Sequence, residues 1–328
     1  MKLATFVVDG ARRVGLVHAE DTALFDLALA AKQTGSDPDP FRSMLDLIDA
    51  GDRALDAARA LFESRRTEAS CSHPIREIEL IAPLPEPRQM RDAMAFPLHI
   101  LQGSRGSALQ LARESGNADE VARLQARPLD ELPPVYRQQP IYYITNRFSV
   151  AGPRTIVKWP RYSKLMDYEL ELGCVTKGRA SDISPANAHA HIFGFTIYND
   201  FSARDAQRVE MLGRLGPSKG KSFDGGNVIG PWIVTPDEIG DPYDLRMSAR
   251  INGETRCDTT SRGMLFSFEE MITYISRDET LMPGEFIGSG TVGNGCGLEL
   301  GRFLQDGDAV ELEIEKIGIL ANVVQRQD

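Results

Sequence analysis

The sequence predicts an α+β chain, mostly β, with a small β-rich and helical N-terminal module over residues 1–80 and a larger mixed β-sandwich roll over 81–328. Two patterns point there. From residue 141 onward, short runs rich in β-branched and aromatic residues are punctuated by Gly and Pro, whereas apolar residues at helical spacing dominate only a few segments, chiefly 41–68. The length of 328 residues, with 42% hydrophobic and 26% charged residues, suits one large globular domain or one plus a smaller partner.

In chain order, "KLATFVV", a turn at "DGARR", "VGLVH" and "TALFDLALA" read as short strands and turns. "FRSMLDLIDAGDRALDAARALFESRR" follows as one or two amphipathic helices. "IREIELIAPLPEPRQMRD" alternates like a strand and then meets prolines, which places a module boundary near residue 80. Residues 101–135 are polar and helix-prone and end at Pro133–Pro134, the pattern of a lid or surface insertion. Beyond them, "YYITNRFSV", "TIVKW", "YELELGCVTKG", "GFTIYND", "NVIGPWIVT", "LRMSARING" and "AVELEIEKIGILANVV" supply strands, with helices expected at "SPANAHAHIFG" and "SFEEMITYIS".

The formal net charge of −10 and the lack of a basic stripe argue against a nucleic-acid partner. No apolar run approaches a membrane span and the start lacks a signal-peptide layout, so no membrane partner is expected and a cytoplasmic location is the default. Cys71, Cys174, Cys257 and Cys296 are scattered, without a CxxC pair, and read as buried reduced thiols rather than zinc ligands.

The chemistry concentrates in four places. In "MDYELELGCV", strand alternation would put Asp167, Glu169 and Glu171 on one face, which is either a solvated acidic edge or, if buried, a cation site. The apolar run "GFTIYND" ends in Asn199 and Asp200, which fits delivery of a third oxygen ligand and equally fits a turn and helix N-cap. Lys219 and Lys221 lie in a glycine-rich loop, where a lysine either faces solvent or reaches developing negative charge. His99, beside "AFPL", is either a packed core residue or a catalytic base. Two decoys are set aside. His189 and His191 stand at i and i+2 of an expected helix and would not face each other, and "GSGTVG" lacks the strand–helix context of a dinucleotide fingerprint.

Taken together and in this order, "MDYELEL", "NDFSARDAQ", "LGPSKGKSFDGGNVIGPWIVTPDEI" and "GSGTVGNGCGLEL" resemble the fumarylacetoacetate hydrolase family over roughly residues 80–328. The resemblance implies the roll of that family, a homodimer, and a divalent cation, Mg2+ first with Ca2+ or Mn2+ as alternatives. Its ligands would be Glu169, Glu171, Asp200 and, seven residues before His99, Asp92. It further implies His99, Glu299 and Lys221 as catalytic residues and Arg204, Gln207, Gly290 and Thr291 as substrate-binding residues. Two positions depart from the hydrolase proper: Met94 replaces a tyrosine, and the expected arginine beyond the histidine has only Arg105 nearby.

The implied activity is hydrolytic cleavage of a carbon–carbon bond in a 1,3-diketone acid, with His99 and Glu299 activating water, Lys221 meeting an oxyanion and the cation absorbing enolate charge. The family also holds decarboxylases, isomerases and hydratases of 2-oxo acids that work through an enolate. A non-catalytic metal-binding protein of the same fold is the alternative of another class. The expected partner is a small keto acid.

Overall fold

The computed structural model of the protein describes residues 1–327. Its large sheet runs Ser72–Pro74, Ala23–Asp26, Ala11–His18, Lys2–Val8, Asn227–Val234, Ile192–Asp200, Leu170–Thr176, Phe286–Gly288, Met90–Ala93, Tyr142–Ile144. A second sheet runs Glu254–Thr260, Arg246–Ile251, Ala309–Ile314, Gly318–Arg326, Ile156–Trp159. The N-terminal strands continue the large sheet, since Lys2 and Leu3 pair antiparallel with Val234 and Ile233.

The strand Leu170–Thr176 is buried along its whole length because both faces meet a core. Leu170, Leu172 and Cys174 enter the core shared with the five-stranded sheet, while Val175 packs on the other side with Phe193, Tyr198, Ile229 and Phe286. Gly173 admits the Phe286 ring, whose Cζ would lie 2.4 Å from a Cβ there. Glu171 alternates onto the second face and is therefore buried by geometry.

Helices form where the sequence offers both an apolar stripe and a cap. Met44–Ala50 and Asp52–Arg65 bury Met44, Leu47, Ile48, Leu55, Ala58 and Leu61, and Ser43 caps the first by accepting from Asp46 N. Phe268–Ile275 opens with a reciprocal capping box between Ser267 and Glu270. The polar segment forms helices Pro97–Glu114 and Ala118–Ala126. The first begins before the polar stretch, with Pro97 in its first turn, and so carries His99.

Two local expectations change. "SPANAHAHIFG" makes only the 3-10 turn Ala188–His191, because Ile192 already belongs to a fully buried strand that continues to Asp200. "MDYELEL" is not one strand: Met166–Asp167 pairs with Ser202–Ala203 as a separate ribbon, Glu169 only bridges to Cys296, and the main strand begins at Leu170. Asp167 therefore parts from the other two, accepting from Gly297 N and Leu298 N, while Glu169 and Glu171 border one cavity. No helix among the described residues is long and apolar enough to cross a membrane.

Candidate active site

The site forms where neighbouring strands of the large sheet bring acidic residues together. Parallel pairing sets Asp92 opposite Gly288, and antiparallel pairing sets Tyr143 opposite Asp92. Glu171 and Asp200 arrive on the adjacent strands Leu170–Thr176 and Ile192–Asp200. One oxygen from each of Asp92, Glu171 and Asp200 lies within 4.8 Å of the others, and all three residues are buried. Gly288 makes the room: a Cβ there would lie 2.4 Å from Asp92 Oδ1 and 3.0 Å from Glu171 Oε2.

Burial holds Asp92 and Glu171 well above the ordinary carboxylate range, helped by the charge of Asp200 on Asp92 and of Asp92 on Glu171. Burial also raises Asp200, against the pull of Lys221. Glu171 accepts from Gly290 N (3.0 Å) and Thr291 Oγ1 (3.3 Å), while Asp200 Oδ2 accepts from Tyr143 Oη and Lys221 Nζ, both at 2.6 Å. Asp92 Oδ1 and Asp200 Oδ1 remain buried without a hydrogen-bond partner. Bare, buried, convergent carboxylate oxygens are the donor set of a hard divalent cation, so these residues fit the implied metal.

Glu169 stands beside this trio rather than in it. Its Oε1 accepts from Arg204 Nη2 at 2.7 Å and its Oε2 bonds Lys221 Nζ. Burial alone would raise its pKa, but the charges of Arg204 and Lys221 outweigh burial and hold it well below the carboxylate range. Burial likewise opposes the charge on Lys221, yet Asp200 and Glu169 keep it protonated. The glycine-rich loop delivers Lys221 because Glu210 accepts the backbone N–H groups of Ser218, Lys219 and Gly220 at 2.8, 2.7 and 3.0 Å. Gly220 passes so close to Gln207 that a Cβ would meet its Cβ at 2.6 Å.

His99 reaches the site from Pro97–Glu114. That helix approaches the turn Gly297–Leu300 at Gly106, where a Cβ would lie 2.3 Å from the Leu298 carbonyl oxygen. The approach sets His99 Nδ1 3.2 Å from Glu299 Oε1, within ion-pair distance but not aligned for a hydrogen bond. Glu299 Oε2 accepts from Cys296 N (3.1 Å) and Cys296 Sγ (3.4 Å). The buried Asp167 holds the same turn, accepting from Gly297 N at 2.7 Å, Leu298 N at 2.9 Å and Arg204 Nε at 2.8 Å.

These groups surround a cavity of about 400 Å3. Of the expected residues, Asp92, Glu169, Glu171, His99, Lys221, Arg204, Gln207, Gly290, Thr291 and Met94 line it, and Asp200 and Glu299 stand directly behind. Arg105 is not among the lining residues; its guanidinium turns toward the Arg127 carbonyl oxygen at 3.5 Å. Sequence reasoning missed Tyr143, Gly288 and the clamp role of Asp167. Of these, only Asp167 carried a local signal, its place in "MDYELEL". The "GSGTVG" glycines serve the carboxylates: Gly290, at φ +79°, directs its N–H to Glu171.

Residues 111–325 match the family described as Fumarylacetoacetate (FAA) hydrolase C-terminal. The chain is 30% identical over 330 residues to the oxaloacetate tautomerase YisK of Bacillus subtilis, covering 99% of this chain and 100% of that one. It is 37% identical over 190 residues to the mitochondrial oxaloacetate tautomerase FAHD2A of Bos taurus, an alignment that covers 57% of this chain and 59% of that relative's length. Among solved structures, the fumarylacetoacetate hydrolase of Exiguobacterium antarcticum superposes with a TM-score of 0.72 at 27% identity, all of both chains being covered. The maleylpyruvate hydrolase of Sphingobium sp. SYK-6, solved with manganese(II) and pyruvate, shares the fold at 21% identity and a TM-score of 0.71, again over both whole chains. The match spans more than half of the chain and one relative aligns end to end, so the protein belongs to the fumarylacetoacetate hydrolase family.

Proposed function

We propose that the protein is a divalent-cation-dependent enzyme that interconverts the keto and enol forms of a 2-oxo acid, with oxaloacetate as the first substrate to test. The observation that carries this reading is the pair of bare, buried oxygens, Asp92 Oδ1 and Asp200 Oδ1, in a carboxylate cradle bordering the cavity that His99 lines. The names of two similar proteins, both oxaloacetate tautomerases, support the choice of substrate.

Asp92, Glu171 and Asp200 would hold the cation, which when bound supplies Lewis-acid stabilisation of negative charge on a 2-oxo acid. His99 takes the proton from the carbon next to the oxo group. The C–H bond breaks, its electron pair becomes the C=C bond, and the former carbonyl pair settles on oxygen. Glu299 lies 3.2 Å from the ring and balances the imidazolium that results. Returning the proton to oxygen completes the enol, so no water or redox partner is consumed. Lys221 and Arg204 provide fixed positive charge at the cavity wall, and Gln207, Gly290 and Thr291 offer polar contacts for the substrate carboxylates.

A second reading, hydrolysis of a carbon–carbon bond in a 1,3-diketone acid, is favoured by the same His99–Glu299 pair, which has the chemistry to activate water. Product analysis separates the two. Metal-stripped protein with Mg2+ or Mn2+ restored is offered oxaloacetate, acylpyruvates and fumarylacetoacetate, with His99→Ala in parallel. Cation-restored enol–keto interconversion that disappears in His99→Ala is the expected result. Two acids released from a diketone would move the assignment to hydrolysis, and no turnover with the cation bound would refute both.

A further inference from the structure

We propose that His99, Glu299 and Cys296 form a second, softer metal site that takes zinc or a similar borderline transition metal and, when filled, switches the enzyme off. One donor atom from each lies within 4.8 Å of the other two. His99 Nδ1 and Glu299 Oε1 are 3.2 Å apart, and Cys296 Sγ is 3.4 Å from Glu299 Oε2. Ligands bound to tetrahedral zinc at about 2.0–2.3 Å stand about 3.3–3.7 Å from one another, and Glu299 meets that spacing to each neighbour through a different one of its two oxygens. The donor atoms, at most 4.8 Å apart, come within that spacing by side-chain rotation of about an ångström.

An independent feature points to a ligand. His99 Nδ1 and Glu299 Oε1 are both buried without a hydrogen-bond partner, in a histidine side chain 11% exposed and a carboxylate side chain with no exposure. Buried polar atoms are normally satisfied, and here a ring nitrogen and a carboxylate oxygen face each other at 3.2 Å without hydrogen-bond alignment, beside a thiol.

The donor set selects the metal. Imidazole, thiolate and carboxylate suit zinc, whereas the all-oxygen cradle of Asp92, Glu171 and Asp200 suits magnesium or manganese. Zinc displaces the thiol proton to solvent, and the thiolate and Glu299 together neutralise the ion, so the filled site adds no net charge to a buried region. The four cysteines lack a CxxC spacing, and this grouping exists only because a distant helix brings His99 against the Cys296 turn. The effect on turnover rests on the role given to His99 and Glu299 above, but the binding itself does not.

Cobalt(II) serves as the spectroscopic probe, added to the Mg2+-loaded full-length protein before zinc is titrated in to displace it. The expected result is one equivalent of cobalt with a thiolate-to-cobalt charge-transfer band, kept in Cys257→Ser and lost in Cys296→Ser. Zinc affinity should fall in Cys296→Ser by more than the roughly 10–100-fold that loss of an outer-shell partner costs. Zinc inhibition should persist in excess Mg2+. Absence of the band in the wild-type protein overturns the proposal without needing a variant. A band that survives in Cys296→Ser, or inhibition that excess Mg2+ relieves, overturns it as well. If the band is present but turnover is unaffected, zinc binds as proposed and the shut-off, together with the catalytic role of the pair, is wrong.

Discussion

Gly288→Ala adds one methyl group and removes no ligand, yet it should empty the cation cradle. Its Cβ would stand 2.4 Å from Asp92 Oδ1 and 3.0 Å from Glu171 Oε2, whereas ordinary contact begins at 3.4 Å. The Asp92 oxygen must therefore retreat by about 1 Å, several times the roughly 0.2 Å that a cation–oxygen distance tolerates. Losing that ligand should weaken Mg2+ or Mn2+ binding by more than the roughly 100-fold, about 2.7 kcal/mol, at the top of the range for an outer-shell partner. Overpacking one methyl into the core costs about 1–3 kcal/mol, which lowers the melting temperature by several degrees and leaves the protein folded. Isothermal titration of metal-stripped Gly288→Ala with Mn2+, next to a thermal melt, measures both. Wild-type affinity in a folded Gly288→Ala protein would show that the cation does not sit among these carboxylates.

Lys221→Met breaks a buried ion-pair network with Glu169 and Asp200 and should cost roughly 3–5 kcal/mol, read by denaturant titration. A change within error would mean that the lysine charge is not needed to hold these carboxylates. Gly106→Ala drives a Cβ into the Leu298 carbonyl and separates His99 from Glu299. Turnover should fall by about 10- to 100-fold with cation affinity unchanged, so a fall in affinity instead would place the helix contact in the metal site. Because the cation-free fold holds Asp92 and Glu171 well above their unfolded values, their ionisation costs stability as pH rises through the folded range. A cation removes that cost, so the rise in melting temperature on adding Mg2+ should grow between about pH 5 and pH 8; an equal rise at both would contradict the assignment.

Much of the strand content was legible because its signals are local. "GFTIYND" and "NVIGPWIVT" are apolar runs bounded by breakers, and both are strands over nearly those bounds. The cradle was partly legible, since Asp92, Glu171 and Asp200 all sit in recognisable motifs. Side-chain direction was not. Glu169 shares the i, i+2 spacing with Glu171, but the strand is interrupted before Leu170, and its two carboxylate oxygens go to Arg204 and Lys221. Nor could a linear pattern show that Tyr143 lies opposite Asp92 or that Gly288 is the position with no room for a side chain, because both depend on register between distant strands. The continuation of the large sheet by Lys2–Val8 is equally non-local. "SPANAHAHIFG" misled because helix-compatible residues precede a strand whose burial fixes where it starts.

The most direct test is the rate of oxaloacetate enol–keto interconversion as metal-stripped protein is titrated with Mg2+ or Mn2+. The enzymatic rate should be negligible without cation, rise to saturation at one equivalent per chain, and fail to rise in Asp92→Asn. A metal-free protein as fast as the loaded one, or a cation that binds stoichiometrically without changing the rate, would contradict cation-dependent catalysis.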